Sequence, residues 1–208
     1  MNTKRLSLIA LALIIIVGLV GCNSQFTCGE ICCQIKSGED IKLFIATDPH
    51  YMSKELFDNG EAFNRFVSTG DGKLIHYSEE IFEAFTYDIK NHKPDILIIP
   101  GDLTCNGEKE SHLEFSEKLK TIQKTGTTVL VVPGNHDIYN SWARKYAENE
   151  LIKIDSISPE EFEDIYSDYG YKDAVSRDPN SLSYLATPAE DLWILMLDSA
   201  IYDRNRFR

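Results

Sequence analysis

The chain has 208 residues, of which 43% are hydrophobic and 26% charged, and its formal charge is −12. That length and apolar share suit one domain, or part of a larger protein, with a sizeable core. Acidic residues outnumber basic ones 33 to 21, so nucleic-acid binding through a broad basic patch is not expected.

The first residues are basic, with Lys4 and Arg5, and Leu6 to Val20 is an apolar run of 15 residues. A membrane-spanning helix needs about 20. A basic start, a short apolar core and small residues before a break are the marks of an export signal. Leu19-Val20-Gly21-Cys22 resembles a bacterial lipobox, in which the cysteine receives lipid and becomes the new N-terminus. Residues 1–21 are therefore expected to be a lipoprotein signal peptide and residues 22–40 a polar tether. Residues 41–208 follow as the domain, lipid-anchored to the bacterial cell membrane on its extracytoplasmic side. An uncleaved anchor is the alternative. Cys28, Cys32, Cys33 and Cys105 match no paired Cys-x-x-Cys zinc spacing and are read as thiols without a catalytic role, although a disulfide is permitted outside the cytoplasm.

Ile41 to Thr47 is an apolar run of strand length that ends in Asp48-Pro49-His50, where Pro49 turns the chain. Residues 51–77 read as a long connection with several glycines and aromatics, of the kind usually reserved for function. The spacing of Ile81, Phe82, Phe85 and Ile89 predicts a helix starting at Ser78, with Glu79 and Glu80 suited to its N-terminus and Pro94 as its stop. A second strand over 95–102 ends in Gly101-Asp102. A second helix is expected with Ser111 and Glu114 as its capping box and Gly126 after it. The third strand, 127–137, ends in Gly134-Asn135-His136-Asp137. Helices are then expected at 141–151 and 159–169, the second capped by Ser158 with Pro159 and Glu161, and antiparallel strands at 181–188 and 191–199. His92 and His112 are expected to be solvated, and His76 lies in the long connection.

Strand–helix alternation with near-continuous apolar strands is the pattern of a buried parallel sheet, hence an α/β fold. Right-handed crossovers place the three strand C-termini on one edge, where α/β sheets bind ligands. Asp48, His50, Asp102 and Asn135 should therefore converge. Two carboxylates, an imidazole and an amide oxygen suit two divalent ions such as Mn²⁺, Fe²⁺ or Zn²⁺. Each cluster taken singly is also common turn chemistry. Three at one edge, with no basic residue among them, favour metal.

Asp48-Pro49-His50, Gly101-Asp102 and Gly134-Asn135-His136-Asp137, in that order and at strand ends, resemble the calcineurin-like metallophosphoesterase family across roughly residues 41–199. The resemblance implies a four-layer α/β/β/α sandwich, a dinuclear metal centre and hydrolysis of a phosphoester substrate. It also implies Asp48 and His50 on one ion, Asp102 bridging, Asn135 on the second and His136 beside the phosphate. Asp137 would orient His136 and raise its pKa. The family pattern continues with a further His and a Gly-His-x-His, but no His follows His136 here. The domain is accordingly expected to be incomplete, its C-terminal half absent from this chain, with weak or no activity alone. The alternative is a non-catalytic surface lipoprotein that binds a ligand or partner.

Overall fold

The computed structural model describes residues 35–70, 72–202 and 205. The segment expected to be an export signal, and Cys22, Cys28, Cys32 and Cys33, lie outside the described residues. The three apolar runs form the parallel strands β1 (Leu43–Ile45), β2 (Ile96–Pro100) and β3 (Thr128–Val132), in the order β1-β2-β3. Ile98 pairs with Ile45 on one side and Leu130 on the other. Ile96, Leu97 and Ile99 of β2 and Val129 to Val132 of β3 are buried. The edge strand β1 departs from that pattern, with Leu43 37% and Ile45 63% exposed, and among the described residues it has one strand neighbour.

Of the four helices in the described residues, α1 (Glu61–Thr69) precedes α2 (Ser78–His92) and α3 (Lys109–Gln123), which lie on the crossovers β1–β2 and β2–β3. Helix α2 starts at the expected Ser78 and stops at Lys93, whose left-handed backbone (φ 46°) is followed by Pro94. Its Phe82 and Ile89 meet Phe115, Leu119 and Ile122 of α3 in the core beside β2 and β3. Burying side chains of this size supplies most of the driving force for the layer. Helix α3 begins before its expected cap, at Lys109. Ser111 lies inside the helix, and its hydroxyl instead accepts the Ser53 N–H at 3.2 Å. A tertiary donor has taken the oxygen that the capping pattern reserved for the helix end.

Three further expectations are corrected. Residues 51–77 are not an open connection: they contain α1 and two short 3₁₀ turns, Lys54–Leu56 and Ile75–Tyr77. Phe57 stacks on Phe63 and Phe66 on Tyr146, while Phe63 meets Tyr146 edge-on, in a second small core with Met52, Ile75 and Cys105, so the aromatics are structural ballast for the loop. Residues 141–151 are not helical but supply β4 (Arg144–Ala147) and part of β5 (Glu150–Lys153), an antiparallel hairpin. Tyr146 is drawn into the second core, and the Asp58 carboxylate accepts the Glu148 N–H at the hairpin turn, where Glu148 has φ 53°. His112 is not solvated: it is fully buried, with Nδ1 2.9 Å from the Tyr166 hydroxyl.

Helix α4 (Pro159–Ile165) forms the expected capping box between Ser158 and Glu161, but ends earlier than 169. Gly170 (φ 115°) follows, and a Cβ there would collide with the Tyr184 ring and hydroxyl. The short β6 (Ser176–Arg177), β7 (Tyr184–Ala189) and β8 (Leu192–Met196) make an antiparallel second sheet. Tyr184 joins the sheets, donating its hydroxyl to Val131 O at 2.9 Å. The architecture is thus mixed α/β, a parallel sheet with helices sharing one core with a second sheet.

Glu108, just before α3, is fully buried. Its Oε2 accepts the Asn106 N–H at 3.0 Å, and its Oε1 has no partner among the described residues. Burial pushes its carboxyl up to about 7 from 4.5. The folded state therefore holds this proton above the pH at which the unfolded chain loses it, and stability falls as pH rises from 4.5 through 7. Glu108→Gln is expected to stabilise the protein by on the order of 2–3 kcal/mol near pH 8 and to have little effect near pH 4. Urea midpoints at the two pH values check this, and an equal shift at both would contradict it.

Candidate metal centre

The loop after each parallel strand is pinned to its neighbour by backbone bonds. His50 N–H donates to Asp102 O and Tyr51 N–H to Leu103 O, both at 3.0 Å, while Gly101 N–H donates to Val132 O at 2.9 Å. The tips of these loops are held in left-handed backbone. Asp48 (φ 51°), His50 (φ 44°) and Asp102 (φ 41°) are three of the six non-glycine residues with positive φ among the described residues. Such conformations cost roughly 1–3 kcal/mol each and persist where the surroundings overdetermine them. Gly134 is required at the crossing, because a Cβ there would collide with the backbone nitrogen and Oδ1 of Asp102.

This folding brings one ligand-type atom each from Asp48, His50 and Asp102 within 4.8 Å of one another. Asp48 is exposed, and Asp102 is buried. Asn135 lines the same cavity of about 350 Å³ as Asp48 and Asp102. Ser199, Ala200 and Ile201, which follow β8, line it too, a contribution that sequence spacing did not signal.

The chemistry of these residues fits a cation. The two carboxylates meet without a basic side chain in the cavity wall. Among the described residues neither nitrogen of His50 has a hydrogen-bond partner: Nδ1 is buried, and Nε2 stands 3.7 Å from Asp102 Oδ2. A buried imidazole left unsatisfied is rare in a core and ordinary for a ligand. Burial first, and then the Lys73 ammonium, lower its pKa, which favours the neutral form that metals require. Lys73 comes from the 51–77 segment, and nothing in its sequence context marked it.

His136 stands at the rim, its ring edge-on to His50 with centroids 5.1 Å apart. Its backbone N–H donates to Asp102 Oδ1 at 2.9 Å, and its Nδ1 lies 2.7 Å from the Cys105 carbonyl oxygen. A carbonyl only accepts, so Nδ1 carries a proton and a ligand would have to meet Nε2. The Cys105 backbone, which no motif marked, is thus the group that holds the imidazole. The Cys105 thiol is buried, and burial pushes its pKa up, consistent with an unreactive sulfur.

Asp137 does not orient His136 as the resemblance implied. Its carboxylate is fully buried and accepts from Gly134 N at 2.8 Å, Leu103 N at 3.0 Å, Thr104 N at 2.9 Å and Thr104 Oγ1 at 3.1 Å. It clamps the loop after β2 to the loop after β3. Burial pushes its carboxyl up to about 7 against the pull of those donors. Of the other histidines, His92 is exposed, and His76 packs against Tyr77 with its Nδ1 buried and unpartnered among the described residues.

The chain is 34% identical over 88 residues to a probable glycerophosphodiester phosphodiesterase of Arcobacter nitrofigilis, covering 39% of this chain and 31% of that protein. It is 33% identical over 73 residues to a probable cyclic nucleotide phosphodiesterase of Vesicomyosocius okutanii, covering 30% of each. The chain thus spans about a third of the length of these curated relatives. A family model described as calcineurin-like phosphoesterase matches residues 41–196, the stretch that runs from before β1 to the end of β8. On that match, which takes in all three strand-end motifs, the chain belongs to the calcineurin-like phosphoesterase family.

Proposed function

We propose that the protein hydrolyses phosphodiesters at a dinuclear centre on this sheet edge. The observation that carries the reading is the convergence of Asp48, His50 and Asp102, in left-handed backbone, with Asn135 on the same cavity. The names of the two relatives, both phosphodiesterases, support a diester over a monoester.

Asp48 and His50 would hold one ion, Asn135 the other, and Asp102, with two oxygens, would serve both. When bound, two divalent ions supply charge that acidifies water and draws electron density from phosphoryl oxygens. The protein's own groups do the rest. In its doubly protonated form, His136 keeps Nδ1–H on Cys105 O, gives its Nε2 proton to the departing oxygen and takes one back from solvent. Asp102 fixes the His136 backbone, and Asp137 keeps both loops in register. The full-length protein supplied with Mn²⁺ is expected to cleave bis(4-nitrophenyl) phosphate, and His136→Ala to lower kcat about 10²–10⁴-fold. Unchanged kcat in that variant would overturn the assignment.

The lipid anchor belongs to the same proposal. Cells fed radiolabelled palmitate are expected to label the wild-type protein and not Cys22→Ser. Equal labelling of both would remove the anchor.

A further inference from the structure

Two clefts flank the central cavity, and they differ in chemistry. One, of about 300 Å³, shares Asp48 and is walled by Ile81, Phe82, Phe85 and Phe115. The other, of about 210 Å³, shares Asn135 and is walled by His136, Asn106, Asn140, Ser141 and Trp142. His136 lines the second cleft and not the first.

Resting on the phosphodiesterase reading above, we infer that the cleft of Asn106, His136, Asn140 and Trp142 receives the departing alcohol, and that this alcohol is uncharged and hydroxylated. The location follows from His136. A group that protonates the leaving oxygen must stand within hydrogen-bond reach of it. Water's oxygen joins phosphorus and the bond from phosphorus to the alcohol oxygen breaks; doubly protonated His136 gives its Nε2 proton to that oxygen, water's proton passes to solvent, and His136 takes one proton back from solvent.

The alcohol's chemistry follows from the walls. Among the described residues the walls, which include Asn205, hold no ionisable side chain apart from His136, and their polar groups are amides and a hydroxyl. The nearby guanidinium of Arg144 donates to Ser141 O and Ala143 O, at 2.8 and 2.7 Å, rather than into the cleft. Asn106 Oδ1 has no hydrogen bond among the described residues, and its amide meets only Cys105 Sγ at 3.7 Å. Asn140 is fixed by donating to His136 O and accepting from Trp142 N–H, both at 3.0 Å. The Trp142 indole is 62% exposed and offers a flat face for C–H groups. An amide acceptor beside an aromatic face is what a polyhydroxy alcohol needs, and an apolar arm would leave the Asn106 amide oxygen unpaired.

The test compares three methyl phosphodiesters, of glycerol, hexanol and choline, with the full-length protein and Mn²⁺, reading the released alcohol by chromatography. The glycerol ester is expected to be preferred over the other two by at least about tenfold in kcat/KM. Asn106→Leu should collapse that preference. Should Asn106→Leu fail to fold, Trp142→Ala at its exposed position serves instead. Equal kcat/KM for the three, or preference for the hexyl or choline ester, overturns the inference and leaves the phosphodiesterase reading intact. If the wild-type protein cleaves none of them, that reading falls and takes the leaving-alcohol assignment with it. A second readout needs no turnover: in Trp193→Phe, Trp142 is the one tryptophan of the two left. Its emission should respond saturably to glycerol 3-phosphate and less to hexyl phosphate, and the reverse order also overturns the inference.

Discussion

Asp102→Asn is expected to lower kcat/KM for a diester about a thousandfold, equivalent to ~4 kcal/mol of transition-state stabilisation, while leaving the fold in place. The fold should survive because asparagine tolerates the left-handed backbone that Asp102 adopts at φ 41°, and its amide oxygen can still accept the His136 N–H. What is lost is the negative charge and one of two ligand oxygens. Asp102 is the one carboxylate of the centre that is buried, so solvent does not screen its charge. Mn²⁺ affinity measured by calorimetry should fall together with kcat/KM. A variant that keeps wild-type Mn²⁺ affinity and activity within tenfold of wild type would show that Asp102 is not the shared ligand.

The largest effect on stability is expected at Asp137. Removing its carboxylate in Asp137→Ala should cost about 3–5 kcal/mol, read as a lower urea midpoint near pH 8. Three backbone N–H groups and the Thr104 hydroxyl would be left in a dry interior without an acceptor. Asp137→Asn is not a neutral substitute, because every partner is a donor and the new NH₂ would face one of them. Activity gives a separate readout. Since this carboxylate touches the loops and not the imidazole, whatever activity remains in Asp137→Asn should keep the wild-type pH–rate profile. A displaced profile would restore the role that the family resemblance implied, of steering His136 directly.

Much of the fold was legible because its signals are local. Three uninterrupted apolar runs alternating with amphipathic stretches dictate parallel strands with crossovers, and β2 and β3 follow within two residues at their starts. The stop of α2 before Pro94 and the capping box of α4 are likewise written in adjacent residues. The failures share a cause. Tyr146 carries residues 144–147 into a strand because Phe63 and Phe66, some eighty residues earlier, offer it a stacking partner. Ser111 gave up a helix cap to a donor from Ser53, and His112 was drawn inside by Tyr166 and the Asp137 carbonyl. None of these contacts has a trace in the spacing around the residue itself.

The same division runs through the site. The sequence by itself determined which residue types stand at the three strand ends and, through the handedness of crossovers, that those ends face one way. Only the tertiary structure decided what each does there: that Cys105 O holds His136, that Asp137 binds loops together, that Lys73 approaches His50, and that clefts of opposite polarity open on either side. Strand order and polarity pattern are carried by neighbours in the chain. Hydrogen-bond partners and burial depend on which distant segment fills the remaining space, and that is settled only when the whole core has packed.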